Sequence, residues 1–520
     1  MERACPGFLR SYETWTVEDT RAYELNAVSL GVPLLLLMEN AGRAVADAVE
    51  CYVGDVRGKS VVVYAGKGGN GGDAIVAARH LAARGAEVKL YLLYDQRLIE
   101  HPDTKVNLQA LNRMKSVTVI HYDDPREYKP EDADVLIDGI LGIGVRGRLR
   151  EPIASALSAF NSSKGLRVAI DVPTGLDPDT GQAVEGTARV DVTVTMHAAK
   201  PGLLKPEARP YVGELLVAEV GLPKDAITFA GPGDVAARVP RRPRDAYKGG
   251  NGKVLTIGGS FHYFGAPFYA ASAALLAGAD LSFLAAPAGV ATSAASSNPG
   301  IIPLPLKGDV LDPSHVDFLV EEAGHVDAVA LGPGLGTAKE TKEAVITLLE
   351  RLRGKPVVID ADALKAVAEV RPALWPQAVL TPHRGEARML AGREGRPEEL
   401  GPEIAKTYGA TVIVKSPKPP GDVICAPDGR CRFNLTGHPA MAVGGTGDVL
   451  TGITAGFLAR RAALTRSFDP LHIAAAAAWV SGRAGELAVS KVGENITALD
   501  VLSAVQAAIK EAYSMGEGGG

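Results

Sequence analysis

One pattern constrains this chain more than any other and occurs in both halves: a short apolar or β-branched run, a loop rich in glycine and acid, then a helical stretch. Residues 60–64 form such a run, followed by Gly66-Lys67-Gly68-Gly69-Asn70-Gly71-Gly72-Asp73 and a helix expected over 74–84. Strand patterns recur at 87–93, 134–137, 167–171 and 191–196, with a helical pattern at 153–160 and two helices ahead of them at 17–31 and 34–51. Alternation of this kind predicts a largely parallel sheet covered on both faces. Over 221–245 the pattern loosens into Gly231-Pro232-Gly233, prolines and arginines, and it restarts at 253–257. Strands are then expected at 281–285, 328–331, 356–359, 378–380 and 411–414, and helices at 267–276, 448–458, 472–489 and 499–512. No short-period repeat links the halves. The fold class is therefore α/β, with two different three-layer domains: 1–225, a linker over 226–245, a second domain over 246–515, and a flexible tail at 516–520.

A chain of 520 residues exceeds one ordinary core. Its 46% hydrophobic and 22% charged residues are those of a soluble globular protein, and a net charge of −5 gives no pull toward nucleic acid or anionic membrane. The basic run from Arg238 to Arg244 reads as a solvated linker, since Pro240 and Pro243 interrupt it. Apolar stretches at 34–38 and 474–480 are far short of a bilayer span, and the N-terminus reads as no secretory leader. The protein is expected to be cytoplasmic. Cys5, Cys51, Cys425 and Cys431 lack CxxC spacing, so neither a zinc site nor a disulfide framework is expected; Cys425 and Cys431 can face each other across a hairpin at Asp428-Gly429, as a free-thiol pair in a reducing cytosol.

Four loops are candidates for chemistry. Gly444-Gly445-Thr446-Gly447-Asp448 runs straight into an apolar helix. Glycine lets backbone approach a ligand, and the amides of a helix N-terminus bind anions. Asp448 beside such an anion pocket can take a proton from a hydroxyl during phosphoryl transfer, or it can be an ordinary N-cap. The loop at Gly66, Gly68 and Gly71 satisfies GxGxxG, with Asp95 after the next strand, so a dehydrogenase is one reading. Asn70 and Asp73 are not required by that reading. Asn70, Asp138, Asp171 and Thr174 all fall at strand ends and can converge; as oxygen donors with few charges they suit a hard cation or a polar ligand better than zinc. Taken singly, each aspartate can equally be a turn residue.

The first half resembles the NAD(P)HX epimerases. The resemblance rests on Met38-Glu39-Asn40-Ala41-Gly42, the loop from Gly66 to Asp73, Asp138-Gly139-Ile140-Leu141-Gly142-Ile143-Gly144, Asp171-Val172-Pro173-Thr174-Gly175 and Lys200-Pro201-Gly202, in that order. It implies a Rossmann-like domain that interconverts the C6 epimers of hydrated NADH or NADPH. Asn70, Asp138 and Thr174 would bind potassium. Gly69, Asn70, Gly71, Gly72, Asp73, Gly142, Ile143, Gly144, Val145, Arg146, Gly147, Arg148 and Asp171 would contact substrate, with Asp171 as acid/base. Gly69 and Ala74 depart from the family's usual Asn and Gly. A related but non-catalytic binding scaffold is the other reading of this half.

The second half resembles the ribokinase-like superfamily and, within it, the ADP- or ATP-dependent NAD(P)HX dehydratases. The matching motifs are Lys248-Gly249 with Gly252-Lys253-Val254, Tyr263-Phe264-Gly265-Ala266, Gly332-Pro333-Gly334-Leu335-Gly336, Thr381-Pro382-His383 and the loop from Gly444 to Asp448. The resemblance implies nucleotide contacts at Lys415, Ser416, Pro417, Lys418, Pro419 and Gly447, and hydrate contacts at Ala266, Gly336, His383 and Asp448. The segment from Lys415 to Asp422 replaces a shorter family pattern. Asp448 would be the catalytic base, and magnesium is expected between the phosphates of ADP or ATP. Together the halves imply a bifunctional repair enzyme for NADHX and NADPHX, expected as a homo-oligomer. The first domain epimerises, and the second uses nucleotide to turn the S hydrate back into NAD(P)H. A ribokinase-like small-molecule kinase with a non-catalytic N-terminal domain is the alternative.

Overall fold

The structure is a computed structural model. It describes residues 5–9, 13–143, 147–416, 421–465 and 467–517. The chain divides into two compact units, with the division between Pro223 and Lys224.

In the first unit the strands are β1 (Phe8–Leu9), β2 (Ser60–Ala65), β3 (Glu87–Leu92), β4 (Val117–Ile120), β5 (Val135–Gly139), β6 (Leu166–Ile170), β7 (Val192–Met196) and β8 (Glu214–Ala218). They form one sheet in the order β1-β8-β7-β6-β5-β2-β3-β4, antiparallel only between β1 and β8. Their continuous apolar runs, such as the Val61-Val62-Val63 centre of β2, are those of strands buried on both faces. β2 pairs with β3 on one side and β5 on the other, so the strand order reverses there, and the register sets Tyr64 beside Asp138. That reversal is where open α/β sheets bind ligands. The helix expected from residue 74 begins earlier, at Gly69, and runs Gly69–Ala83. Its glycines let it start inside the loop: a Cβ on Gly71 would lie 2.0 Å from the Gly66 carbonyl oxygen.

In the second unit the strands are β9 (Lys253–Ile257), β10 (Leu281–Pro287), β11 (Ile301–Leu306), β12 (Ala328–Leu331), β13 (Val357–Ile359), β14 (Ala378–Leu380), β15 (Thr411–Val414), β16 (Asp422–Cys425) and β17 (Cys431–Asn434). The sheet order is β11-β10-β9-β12-β13-β14-β15-β16-β17, parallel up to β15 and antiparallel over the terminal hairpin. The helix Thr446–Leu464 packs on the helix Gly265–Leu276 at very short range. A Cβ on Gly452 would sit 2.1 Å from the Ala270 carbonyl oxygen, and one on Gly456 2.8 Å from the Ala277 methyl. That approach seats the N-terminus of the first of these helices, and with it Asp448.

Two expectations are corrected. Over 226–239 the expected linker is not solvated, whereas 241–245 are exposed and outside any helix. The helices Lys224–Thr228 and Pro232–Arg238 are built into the second unit, and buried Asp234 accepts from Arg432 at 3.0 and 2.9 Å with Arg238 at 3.4 Å. A carboxylate three residues into a helix pairs with distant arginines that composition cannot reveal. The cysteines are not free thiols either: Cys5 pairs with Cys51 and Cys425 with Cys431. The second pair follows from register, since Cys425 and Cys431 lie opposite each other in the hairpin. The helix Ala498–Glu517 extends into the expected tail, whose last three residues lie outside the described ones.

Candidate active sites

In the first unit, adjacent β6, β5 and β2 bring Asp171, Asp138 and the loop from Gly66 to Asp73 to one edge of the sheet. A cleft of about 360 Å³ opens there, lined by Gly69, Asn70, Asp73, Gly142, Ile143, Asp171 and Lys200 among others. Asp138 is fully buried. Its Oδ1 accepts from Thr174 Oγ1 at 2.7 Å and from the Ile140 amide at 3.2 Å, and its Oδ2 from the Thr174 amide at 2.8 Å. Among the described residues no lysine or arginine forms an ion pair with it. Burial raises its pKa to about 6, against the pull of the Thr174 and Ile140 hydrogen bonds. Asn70 packs against Gly142, and its Nδ2 is buried with no partner among the described residues.

Asp171 occupies a left-handed backbone conformation with φ of 62°, sterically rare for a residue with a Cβ and of the kind stored at functional sites. Its Oδ1 accepts from Thr195 Oγ1 at 3.0 Å, from the Met196 amide at 3.1 Å and from Lys200 Nζ. Lys200 is itself buried, and its ammonium also donates to Thr195 Oγ1 and the Met196 carbonyl at 3.0 Å each. Burial alone would raise the Asp171 pKa; the Lys200 charge and these bonds hold it below the usual carboxylate range. Asp73 is the opposite case. No described residue donates a hydrogen bond to its carboxyl, and burial, followed by the Asp171 and Glu24 charges, pushes its pKa well up.

The other expected contacts scatter. Gly71 and Gly72 are buried against the Gly66 backbone and the Met38 side chain and do not line the cleft. Gly147 lies outside it, and Arg148 is exposed beside Glu185. Gly144, Val145 and Arg146 fall outside the described residues. Lys200, which the sequence marks only as part of a closing motif, is the cation at the centre of the site. Its position just after β7, followed by proline and glycine, was the available signal.

In the second unit the loops after β9, β12, β13, β14 and β15 converge on the N-terminus of the helix Thr446–Leu464. Gly445 caps that helix at φ 97°, and the first internal bond runs from the Val449 amide to Gly445, so the amides before it are open to a ligand. A Cβ on Gly447 would meet Lys415 Nζ at 3.1 Å, which measures how closely this loop approaches the lysine. Lys415 bonds Asp360 Oδ1 at 3.0 Å, and Thr451 Oγ1 donates to Asp360 Oδ2 at 2.7 Å. Burial, then repulsion from Asp360, Asp362 and Glu386, raises the Asp448 pKa to about 7 although Lys415 pulls it down.

A cavity of about 740 Å³ adjoins, lined by His383, Lys415, Ser416 and Gly447 together with Asn434, Thr436, His438, Met441 and Ser481, which sequence reading did not single out. His383 caps the helix Arg384–Ala391: its Nδ1 accepts the Gly385 and Glu386 amides at 3.0 and 3.2 Å. That fixes the proton on Nε2, and the ring is still 62% exposed to the cavity. The structural reading of this histidine is therefore met, with its Nε2 3.5 Å from Glu386 Oε1. Ala266, in the first turn of the helix Gly265–Leu276, and Gly336, in the loop after β12, lie outside this cavity, and the Gly336 amide donates to Asp362 at 2.8 Å. Pro417, Lys418 and Pro419 fall outside the described residues. Among the described residues no helix is long and apolar enough to cross a membrane, and no three Asp, Glu, His or Cys residues cluster to hold a metal.

Comparison with known proteins agrees with this layout. Residues 254–507 match the family described as NAD(P)H-hydrate dehydratase, and residues 35–202 the family described as YjeF-related protein N-terminus. A bifunctional NAD(P)H-hydrate repair enzyme Nnr of Pyrobaculum aerophilum is 46% identical over 93% of this chain and 96% of its own length. The protein of the same name from Hyperthermus butylicus is 43% identical over 95% of this chain and 92% of its own. Among solved structures, the ADP/ATP-dependent NAD(P)H-hydrate dehydratase of Bacillus subtilis, co-crystallised with ATP/Mg2+, is 25% identical. It covers 55% of this chain and 98% of its own, with a TM-score of 0.45.

Proposed function

This chain belongs to the family of bifunctional NAD(P)H-hydrate repair enzymes, and from that premise we propose how its two sites divide the work. The first unit epimerises the C6 carbon of NADHX and NADPHX; the second dehydrates the S form at the expense of ADP or ATP. The observation that carries the assignment of roles is Asp448: a carboxyl with pKa near 7, seated on the first turn of a helix whose free amides face an adjoining nucleotide-sized cavity.

Hydroxide is a poor leaving group, and nucleotide solves that problem. Asp448 takes the proton of the C6 hydroxyl, whose oxygen attacks the terminal phosphorus of the nucleotide. The amides of Gly445, Thr446 and Gly447 stabilise the developing charge, a large catalytic contribution when donors are preorganised. Phosphate then leaves, expelled by the lone pair of the ring nitrogen, and loss of a C5 proton restores the dihydropyridine. Lys415 and Ser416 hold nucleotide, while His383 Nε2, Ala266 and Gly336 face the hydrate. Magnesium suits the nucleotide phosphates better than a protein cage, because Asp360 and Asp362 are already engaged by Lys415 and Lys365. When bound, it supplies neutralising charge at those phosphates.

In the first unit Asn70, Asp138 and Thr174 would hold potassium. They fit a monovalent cation: one fully buried carboxylate without a basic partner, with hydroxyl, amide and carbonyl oxygens around it. When bound, the ion supplies the charge that Asp138 lacks and steadies the Leu141–Gly142 turn above the cleft. We place this work in the cytoplasm and in a homo-oligomer, the latter tested by sedimentation of the purified chain.

The test supplies mixed NADHX epimers with ADP or ATP and follows return of the near-ultraviolet absorbance of the dihydronicotinamide ring. Complete recovery of both epimers is expected. Recovery with neither nucleotide would refute the dehydratase assignment, and a phosphorylated product that accumulates would favour a small-molecule kinase.

A further inference from the structure

We propose that Asp73 is a catalytic residue of the epimerisation, giving a proton to the C6 hydroxyl on one face of the ring while Asp171 takes one from the water that adds on the other. The proposal rests on the reading of the first unit as an epimerase and names the groups that carry out the inversion.

Inverting C6 by exchange of its oxygen requires acid on the departing face and base on the arriving face. Besides Glu24, which contacts His197, two carboxyls line the 360 Å³ cleft, and they reach it from different elements: Asp73 from the helix Gly69–Ala83, Asp171 from the turn after β6. Their bonding differs sharply. Three donors, Thr195 Oγ1, the Met196 amide and Lys200 Nζ, converge on Oδ1 of Asp171, and no described residue donates to its Oδ2. No described residue donates to the Asp73 carboxyl. The charged groups facing Asp73 are Asp171, Glu24 and Lys200, and Glu24 also contacts His197 at 3.3 Å. The lysine that faces Asp73 is therefore already bonded to Asp171. Keeping Asp171 ionised and Asp73 protonated is the low-energy arrangement, and the opposite directions of their pKa shifts agree.

The bonds balance with water as the only co-reactant. The Asp73 proton passes to the C6 hydroxyl oxygen, the C6–O bond breaks with its electrons, and water departs as the N1 lone pair forms a C6=N1 cation. A second water adds its oxygen to the opposite face of C6, returns the electron pair to N1 and gives its proton to Asp171. Exchange with solvent moves that proton from Asp171 back to Asp73 and resets the pair.

The experiment uses the full chain and hydrate labelled with ¹⁸O at the C6 hydroxyl, without nucleotide. Each epimerisation should release the label to solvent. Asp73→Asn, nearly isosteric, should slow both epimerisation and label loss by about 100-fold or more, while turnover of the S epimer with ADP reports the amount of intact chain. Epimerisation with the label retained would overturn the proposal in favour of ring opening at C6–N1, and that measurement needs no variant. Wild-type epimerisation speed in Asp73→Asn would overturn it equally. Absence of any catalysed epimerisation by the wild-type chain would instead refute the epimerase reading on which it stands.

Discussion

Asp360→Asn should move the acid limb of the dehydratase pH profile downward. As the proposed base, Asp448 must be ionised to act, so kcat/KM should fall as pH drops through its pKa of about 7. Among the charges that raise that pKa, Asp360 stands first, after burial. It also engages Lys415 at 3.0 Å, the same ammonium that approaches the Gly447 position beside Asp448. The substitution therefore removes a repelling charge and releases an attracting one, and both effects have the same sign. A shift of about 1 to 2 units, on the order of 1.4 kcal/mol each, is expected for rearranging charges at this range. The limb should move to roughly pH 5 to 6, with a lower plateau because a weaker base abstracts protons less well. The assay is kcat/KM for recovery of NADH from the S hydrate, measured across the neutral and acid range. An unmoved limb, or one moved upward, would refute the assignment of Asp448 as the base tuned by Asp360 and Lys415.

Four further outcomes are expected. Gly447→Ala sets a methyl against Lys415 Nζ, so nucleotide KM should rise by about tenfold while epimerase rates stay unchanged, read by initial-rate kinetics of both reactions. Lys200→Met strips buried Asp171 of its cation; epimerisation should be lost and the first unit destabilised by about 3–5 kcal/mol in denaturant melts. Asp448→Asn should abolish dehydration yet stabilise the second unit. The folded-state pKa lies above the unfolded 3.8, so the native carboxyl loses stability as pH rises from about 4 to about 7. The variant's advantage should grow over that window to about 1–2 kcal/mol, after allowance for partial exposure, and stay flat above it in thermal melts. Asp234→Asn removes the buried carboxylate that Arg432 bonds and Arg238 approaches at 3.4 Å, and denaturant melts should show a loss of about 3 kcal/mol from the second unit alone.

Local pattern determined much of this protein. Short apolar or β-branched runs such as 61–63 and 254–257, alternating with helical stretches, fit buried parallel strands, so the two α/β units and most of their strand positions were legible in the chain. The strand-end motifs also announced which loops would come together, because a parallel sheet gathers its carboxyl ends on one side. Side-chain partnership was a matter for the tertiary structure. It tied Asp171 to Lys200, 29 residues away, left the Asp73 carboxyl without a donor, and set Asp360 between Lys415 and Thr451. It also turned the expected linker into a buried ion-pair anchor at Asp234 and closed both cysteine pairs. Periodicity and propensity act over a few residues and are written in the sequence. Burial and Coulomb interaction depend on distances between groups far apart in the chain. Those distances decide which carboxyl is anchored, which is poised, and which proton can move.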